Sequence, residues 1–177
     1  LTAYNLAVLT DMWGEVPWTE ALKGAENLQP VYDKQSEIYP KIIQYLDDAI
    51  TTLNSVTTLS VAGDYIYGGS AATAKAKWIK AAYSLKARYS LRLTQVDNTA
   101  STKALAAIAN GFAGNADNLV FAKYEATAIG ENPWYQFLYD RTHLSASQTL
   151  YNIMNTRNDP RIPEYFLQVG GVYVPAP

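Results

Sequence analysis

Cysteine is absent from the 177 residues of the chain, and only one histidine is present. Without cysteine there can be no disulfides, thiolate metal sites or cysteine nucleophiles. With His143 as the one imidazole, a metal site built on several histidines is also excluded. No Gly-x-Ser-x-Gly motif marks an activated serine. We therefore predict no metal, no cofactor and no catalytic residue, and we interpret His143 as a surface or helix-capping side chain.

An excess of positive charge is also lacking, since the formal net charge is −2 and the pI is about 5.4. Binding of a polyanion by counterion release needs a basic surface, so nucleic acid is not an expected partner. The sequence contains no run of about 18 apolar residues, so no membrane-spanning helix is predicted. The chain begins at Leu1 and ends at Pro177. We expect residues 1–177 to form one α-helical domain that is a fragment of a longer protein.

Phenylalanine is scarce among the aromatic residues, with 4 Phe against 14 Tyr and 4 Trp. Tyrosine and tryptophan combine a flat apolar ring with a polar group, so they suit surfaces that are partly wet and still bind a partner such as a sugar. Buried tyrosines with hydrogen-bonded hydroxyls would give the same count. We interpret most of the 14 tyrosines in this second way.

Apolar residues recur at helical spacing over most of the chain, and alternation typical of strands is scarce. Asp33 is predicted to cap the second helix, in which Pro40 would cause a kink or a later start, and Gln148 to complete a capping box in the last one. Only residues 118–124 and 172–174 are strand candidates. The predicted helices are Leu1 to Met12, Lys34 to Leu53, Ala71 to Val96, Ser101 to Asn110, and one that starts at Ser145. The predicted class is mostly α, with tetratricopeptide-like stacked helix hairpins and long irregular loops.

Each of the first three helices carries a stripe of apolar residues at helical spacing that we expect to face the core. In the second helix they are Ile38, Ile42, Leu46, Ala49, Ile50 and Leu53. In the first helix the stripe is Leu1, Tyr4, Val8 and Met12. In the long helix that starts at Ala71 it is Trp78, Ala82, Leu85, Tyr89 and Leu93. Trp78 is therefore predicted to be a structural residue of this helix.

Charge is segregated along the chain. Residues 1–70 hold 3 Lys/Arg and 9 Asp/Glu, a balance of −6, whereas residues 71–96 hold 6 Lys/Arg and no acid, a balance of +6. The six cations could form a polyanion-binding face, or their stems could cover apolar surface while their charged groups meet the acidic segment. We favour the second interpretation. The cations are Lys75, Lys77, Lys80, Lys86, Arg88 and Arg92.

Two tryptophans flank a segment that a regular helix cannot cross, because Gly14 permits a bend and Pro17 removes a helical donor. Trp13 and Trp18 could be a binding platform or pins that fix a turn between helices. We interpret both tryptophans, together with Gly14 and Pro17, as structural. Glu15 and Glu20 beside them would be the carboxylates of a glycosidase if their separation suited sugar cleavage.

The glycines from Gly63 to Gly69 are spaced as in a phosphate-binding loop. However, Gly69 occupies the place of the essential lysine, and no apolar strand leads into Gly63. A phosphate would therefore find neither the cation nor the strand that support such a loop, and nucleotide binding is not predicted.

Several motifs stand together in an order that resembles a known family. They are Leu9-Thr-Asp-Met-Trp-Gly-Glu-Val-Pro-Trp-Thr-Glu-Ala, Pro30-Val-Tyr-Asp-Lys-Gln-Ser-Glu-Ile-Tyr, Leu46-Asp-Asp-Ala-Ile, Gly63-Asp-Tyr-Ile-Tyr-Gly-Gly, Lys77-Trp-Ile-Lys-Ala-Ala-Tyr-Ser-Leu-Lys-Ala-Arg, Asn132-Pro-Trp and Asn158-Asp-Pro-Arg-Ile-Pro-Glu-Tyr-Phe. Over nearly the whole chain they resemble the SusD/RagB family of outer-membrane nutrient-binding lipoproteins. The family's lipobox cysteine and C-terminal part are missing from this sequence.

The resemblance implies a helical fold with tetratricopeptide-like hairpins, and a surface-exposed lipoprotein held on the outer membrane by a lipid anchor that is not present in this chain. It also implies a lid over a SusC-like TonB-dependent transporter that imports oligosaccharides or peptides. Aromatic residues in irregular segments are the best ligand candidates. These are Tyr65, Tyr67, Trp134 and Tyr135. A helical-repeat interaction scaffold and a glycoside hydrolase that uses Glu15 or Glu20 remain as alternatives.

Overall fold

The computed structural model describes residues 1–141 and 145–176, so His143 and its proposed role lie outside the described residues. The described chain forms two compact units, Leu1–Ala122 and Lys123–Pro177. The single domain expected from the sequence stays a prediction. Within the described residues, no helix is both long enough and apolar enough to span a bilayer.

The first unit is built from four α-helices, as the apolar periodicity predicts. Their bounds are α1 Thr2–Trp13, α2 Gln35–Ser55, α3 Ala71–Leu91 and α4 Ala100–Ile108. One turn of 3₁₀ helix lies at Gly24–Glu26 and another at Asn115–Asp117. Helices that follow each other in sequence pack together in space. Stacked helix hairpins are thereby confirmed for this unit.

The polar contacts between α2 and α3 show that the two helices run antiparallel. Lys86, late in α3, pairs with Asp47 in the middle of α2. Lys75, early in α3, donates to the carbonyl oxygen of Val56, the residue after α2, at 2.9 Å. At the end of α4, the side-chain oxygen of Ser84 in α3 accepts from the N–H of Phe112 at 2.8 Å. A Cβ on Gly111 would lie 2.7 Å from that oxygen, so this close approach requires glycine.

The apolar core of the first unit lies between α1, α2 and α3. Its largest fully buried side chains are Tyr89, Leu6, Ile38, Ile42 and Thr10. Tyr89 and Ala82 belong to the stripe predicted for α3, while its other members are partly buried. Helix α3 packs against α2 and α4 at once, and four of its six buried residues are alanines. Small side chains let both neighbours approach closely.

The stripe predicted for α1 is wrong. Leu1, Tyr4, Val8 and Met12 are exposed, and the buried face consists of Ala3, Leu6, Ala7 and Thr10. Helix α1 packs through Leu6 together with the smaller side chains of Ala3, Ala7 and Thr10, and small residues permit a short distance between helix axes.

Two predicted helix starts also differ from the structure. Helix α2 begins at Gln35 after Lys34, so Asp33 is not its N-cap, and Pro40 lies inside the helix without delaying its start. In the second unit, Ser147 caps α6 by accepting from the N–H of Leu150, so the capping box predicted to start at Ser145 does not form. In both places several polar residues precede the helix, and periodicity alone cannot tell which of them caps it.

The second unit contains three helices and one small hairpin among its described residues. They are α5 Pro133–Arg141, α6 Gln148–Thr156, α7 Ile162–Tyr165, β1 Gln168–Val169 and β2 Val172–Tyr173. The strands are antiparallel, with Val169 opposite Val172. The strand predicted over residues 118–124 does not form, and α5 has no counterpart in the sequence prediction.

The cations of α3 are held mainly by acidic side chains and carbonyl groups of their own unit. Arg92 pairs with Asp11 of α1, and Lys86 pairs with Asp47 of α2, which confirms the favoured interpretation for these two residues. Lys80 instead pairs with Asp117, which follows α3 in sequence, at 2.9 Å.

Leu46 and Leu28 offer a matched test of the core. Leu46 of α2 is 4% exposed and Leu28 in the loop before α2 is 80% exposed. We expect Leu46→Ala to lower the free energy of unfolding by about 2–5 kcal/mol, because it removes buried methyl groups and leaves a cavity. Leu28→Ala should change it by less than about 0.5 kcal/mol. Urea unfolding followed by circular dichroism measures both, and equal losses would contradict the assigned core.

Candidate functional site: an aromatic surface on helix α5

Asn132 and Pro133 start helix α5. The side-chain oxygen of Asn132 accepts from the N–H of Trp134 at 2.9 Å and of Tyr135 at 3.3 Å. Asparagine before a helix satisfies its first free N–H groups, and proline at the first helical position has the φ angle that the helix needs. The backbone that carries Trp134 and Tyr135 is thereby fixed.

Three aromatic side chains of α5 are largely exposed, on a helix that has no buried residue. Trp134 is 68% exposed, Tyr135 57% and Tyr139 75%. Tyr135 and Tyr139 are four residues apart, so they lie one above the other, with nearly parallel rings whose centroids are 6.0 Å apart. We call Trp134, Tyr135 and Tyr139 the α5 aromatic surface.

A turn before α5 holds the helix to the preceding segment. Gln136 donates its side-chain N–H to the carbonyl oxygen of Ala128. The turn itself is closed by a hydrogen bond of 2.9 Å from the N–H of Gly130 to the carbonyl oxygen of Thr127. The α5 aromatic surface therefore stands on a hydrogen-bonded framework within its own unit.

Tyr65 lies in the other unit, in the irregular segment before α3. Its ring is exposed and meets the ring of Phe121 edge to face, with centroids 6.3 Å apart. An exposed ring in a loop agrees with the sequence argument for Tyr65. The candidates thus fall into two groups, Trp134 and Tyr135 on α5 and Tyr65 in the first unit.

Tyr67 differs from the other candidates because its polar and apolar parts are both used within the fold. Its hydroxyl donates to the carbonyl oxygen of Asp117 at 2.6 Å, and its ring meets that of Trp78 edge to face at 5.0 Å. Burial, with the nearby charges of Asp117 and Asp64, raises the pKa of Tyr67 to about 12. We therefore leave Tyr67 out of the candidate site.

Asp64 organises the glycine-rich segment in which Tyr67 lies. One carboxylate oxygen accepts from the N–H of Ile66 and of Tyr67, and the other accepts from the indole N–H of Trp78 at 2.8 Å. Burial alone would raise the pKa of Asp64, but these hydrogen bonds outweigh it and lower the pKa. Trp78 is half-buried and anchors this loop to α3.

The turn after α1 separates the first two tryptophans. Trp18 packs on the core and meets Tyr45 edge to face at 5.8 Å, whereas Trp13 is exposed and is not a buried pin. Gly14 has a φ of 76°, which favours glycine. Asp33 accepts from the N–H of Trp18 at 2.8 Å, and its hydrogen bonds to Thr19 and Trp18 lower its pKa.

Glu20 is engaged within its own loop. The carboxylate of Glu20 accepts from the side-chain N–H of Asn27 at 2.8 Å and from the N–H of Val31 at 3.2 Å. Glu15 is exposed. Across the described residues, no group of three or more acidic or histidine side chains is placed to hold a metal ion.

Tyr139 is a member of the surface that the sequence analysis missed. The signal was present, because Asn132 followed by Pro133 marks a helix start and Tyr139 then stands four residues after Tyr135. Because no helix is predicted over residues 133–141 from the sequence, the spacing of four residues between Tyr135 and Tyr139 does not place the two rings together at that stage.

The raised pKa of Tyr67 predicts a loss of stability at high pH. A pKa near 12 in the folded chain against about 10 when unfolded means that the stabilisation is complete below pH 10 and is lost as pH rises toward 12. We expect Tyr67→Phe to cost about 1 kcal/mol at pH 8 and progressively less above pH 10. Urea unfolding between pH 8 and 12 measures this. Tyr65→Phe is the control, and a pH-independent cost for Tyr67→Phe would contradict the assignment.

Comparison with known proteins gives a family match over almost the whole chain. A family model described as "SusD-like, starch-binding associating with outer membrane" matches residues 1–174. A search of curated proteins found no match.

Solved structures of similar fold agree with this match. The chain is 35% identical to a SusD/RagB family protein from Bacteroides thetaiotaomicron, with a TM-score of 0.76 over 90% of this chain and 32% of that one. It is 25% identical to a SusD homologue from Bacteroides uniformis, with a TM-score of 0.78 over 94% of this chain and 35% of that one. It is 31% identical to a chitin-binding protein, with a TM-score of 0.70 over 88% of this chain and 32% of that one.

The chain spans about a third of the length of these three structures. Their helical, tetratricopeptide-like fold confirms the fold class expected from the sequence. Because the family model covers residues 1–174 and the fold agrees, the chain belongs to the SusD-like family.

Proposed function

We propose that this chain is the helical part of a non-catalytic glycan-binding protein that works at the outer membrane. The observation that carries the proposal is the α5 aromatic surface, where three exposed rings stand on a helix whose first N–H groups are capped by Asn132. Exposed aromatic rings on a fixed backbone are costly to leave in water and are typical of binding surfaces. The family's description as starch-binding supports a sugar as the ligand.

Binding at this surface needs only stacking and hydrogen bonds. The apolar C–H face of a pyranose ring can lie on the indole of Trp134, while the hydroxyls of Tyr135 and Tyr139 can exchange hydrogen bonds with those of the sugar. No bond is made or broken, so the surface requires no nucleophile. Because Asn132 already fixes the backbone, little conformational entropy is lost on binding.

The position of Glu20 favours the non-catalytic function over a glycosidase. Its carboxylate is held by Asn27 and Val31 within its own loop, and Trp18 beside it packs on the core. A glycosidase needs two carboxyl groups that face each other across a bound sugar. Glu20 is therefore not free to act as one of these two carboxyl groups.

The cellular setting is also part of the proposal. The whole protein is a surface-exposed lipoprotein of the outer membrane that hands oligosaccharide to a SusC-like TonB-dependent transporter. The description of the family as associating with the outer membrane supports this location. One similar protein is described as chitin-binding, which supports oligosaccharides over peptides.

A second candidate function is peptide binding by the stacked helices. A groove of about 720 Å³ runs between α3 and α4, and Leu91, Leu105 and Ile108 line it with exposed apolar groups. An amphipathic helix could place its apolar face there. Binding of peptides in preference to oligosaccharides would favour this function.

We expect Trp134→Ala to weaken oligosaccharide binding about tenfold, because a stacking contact contributes about 1–1.5 kcal/mol. Because Trp134 is 68% exposed, the melting temperature of the Trp134→Ala variant should stay within about 2 °C of that of the parent protein. Calorimetry with starch and chitin oligosaccharides on the intact protein, as the cell produces it, measures the affinity.

Trp13→Ala is the matched control, since it removes an equally exposed tryptophan from the first unit. Equal affinities for the parent, Trp134→Ala and Tyr139→Ala would remove the α5 aromatic surface from the site. Release of shortened sugars during the titration would overturn the non-catalytic function, and tight peptide binding with no sugar binding would support the α3–α4 groove instead.

A further inference from the structure

A second concave site lies in the second unit, where α6 ends and the chain turns into α7. It encloses about 320 Å³. Its apolar lining comes from α6, and its polar lining comes from the residues that follow. We call it the α6 pocket, and it is lined by Leu150, Ile153, Met154, Arg157, Asp159, Arg161 and Tyr165.

One of the two arginines of the α6 pocket already has a carboxylate partner. Arg161 forms a two-pronged contact with Asp159, in which its Nε lies 2.9 Å from one carboxylate oxygen and a terminal nitrogen lies 2.6 Å from the other. The backbone N–H of Arg161 also donates to Asp159 at 3.0 Å. The Arg161 side chain lowers the pKa of Asp159 to about 2, so this pair stays ionised at physiological pH.

The other arginine, Arg157, lies close enough to Asp159 for its charge to help lower the pKa of that carboxyl group, but its guanidinium N–H groups are unpaired within the part of the chain that the structure describes. Arg157 is exposed, and among the described residues its side chain makes no hydrogen bond or ion pair. With Asp159 and Arg161 offsetting each other, the lining carries one net positive charge. A planar guanidinium with free N–H groups matches the two oxygens of a carboxylate. The charge of the pocket therefore fits a singly charged anion.

The remaining lining adds an apolar floor and an aromatic ring. We call Leu150, Ile153 and Met154 the apolar floor; Met154 is buried, whereas Leu150, Ile153 and the ring of Tyr165 are exposed. A ligand that uses the whole pocket has a compact body with an apolar face, and its carboxylate projects from one edge of that body. A pyranose ring with a carboxylate at C6 has this combination of groups.

We propose that the α6 pocket binds a uronic acid unit, with its carboxylate on Arg157 and its ring against Tyr165 and the apolar floor. This inference rests on the proposed glycan-binding function and extends it to acidic sugars. A phosphate group would bring close to two negative charges to a lining with one net positive charge. A simple carboxylate such as acetate would leave the floor and Tyr165 unused.

The test compares methyl glucuronide with methyl glucoside, which differ only at C6, on the intact protein as the cell produces it. We expect calorimetry or ligand-observed NMR to show at least fivefold tighter binding of the glucuronide at low salt. Raising the salt concentration should reduce the difference, because Arg157 is exposed.

Three variants assign this difference to the pocket. Arg157→Gln should abolish it, whereas Arg88→Gln, which removes the same charge from exposed α3 surface of the first unit, should leave it unchanged. Tyr165→Ala should weaken glucuronide binding about fivefold without changing the weak binding of acetate. Arg157 and Tyr165 are both exposed, so these variants should fold, and their circular dichroism spectra check this.

The outcomes separate this inference from the proposed function. If neutral oligosaccharides bind through Trp134 but glucuronide binds no better than glucoside, the α6 pocket is overturned and the proposed function stands. If glucuronide binding depends on Arg157 while neutral sugars do not bind, the pocket stands and the α5 aromatic surface is overturned. Equal binding of acetate, phosphate or acidic peptides would overturn the assignment to a sugar.

Discussion

The packing of α3 on two sides is the constraint on which the rest of the first unit depends. Helix α3 contacts α2 and α4 together, and the small side chains of Ala81, Ala82 and Ala87 at its buried positions permit a close approach of its neighbours. The larger side chains that fill the core come from the neighbouring elements and from Tyr89. This arrangement fixes the antiparallel hairpins and sets the position from which the loop at Asp64 is anchored through Trp78.

Carboxylates fix the irregular segments of this cysteine-free chain. Asp33 holds the turn after α1, Asp64 the loop before α3, and Asp159 the turn after α6, each by accepting backbone N–H groups. Hydrogen bonds lower the pKa of all three carboxyl groups. Their contribution to stability is therefore present at neutral pH and is lost as pH falls through the lowered pKa values.

The sequence was sufficient for the long helices and for the family, and insufficient for details that depend on packing. Helices α2 and α3 were predicted because their apolar residues recur over five or more turns. The buried face of α1 was not predicted, because the small side chains of Ala3 and Ala7 contribute little to an apolar pattern beside the larger Tyr4. The candidate site stays a prediction, and only part of it could be proposed from the sequence. Trp134 and Tyr135 stood out as aromatic residues, but the internal role of Tyr67 depends on Asp117, fifty positions away in the sequence.

The exposed residues of the α5 aromatic surface, which we propose to bind sugar, are not the residues that hold the fold together. Trp134, Tyr135 and Tyr139 contribute little buried area, whereas Asn132, which starts the helix, contacts only backbone N–H groups of the surface residues. Natural selection can therefore replace any of the three rings at little cost to folding, provided that the helix start is kept. If α5 binds sugar as proposed, a change of ring on this helix changes the sugar preference and leaves the architecture the same.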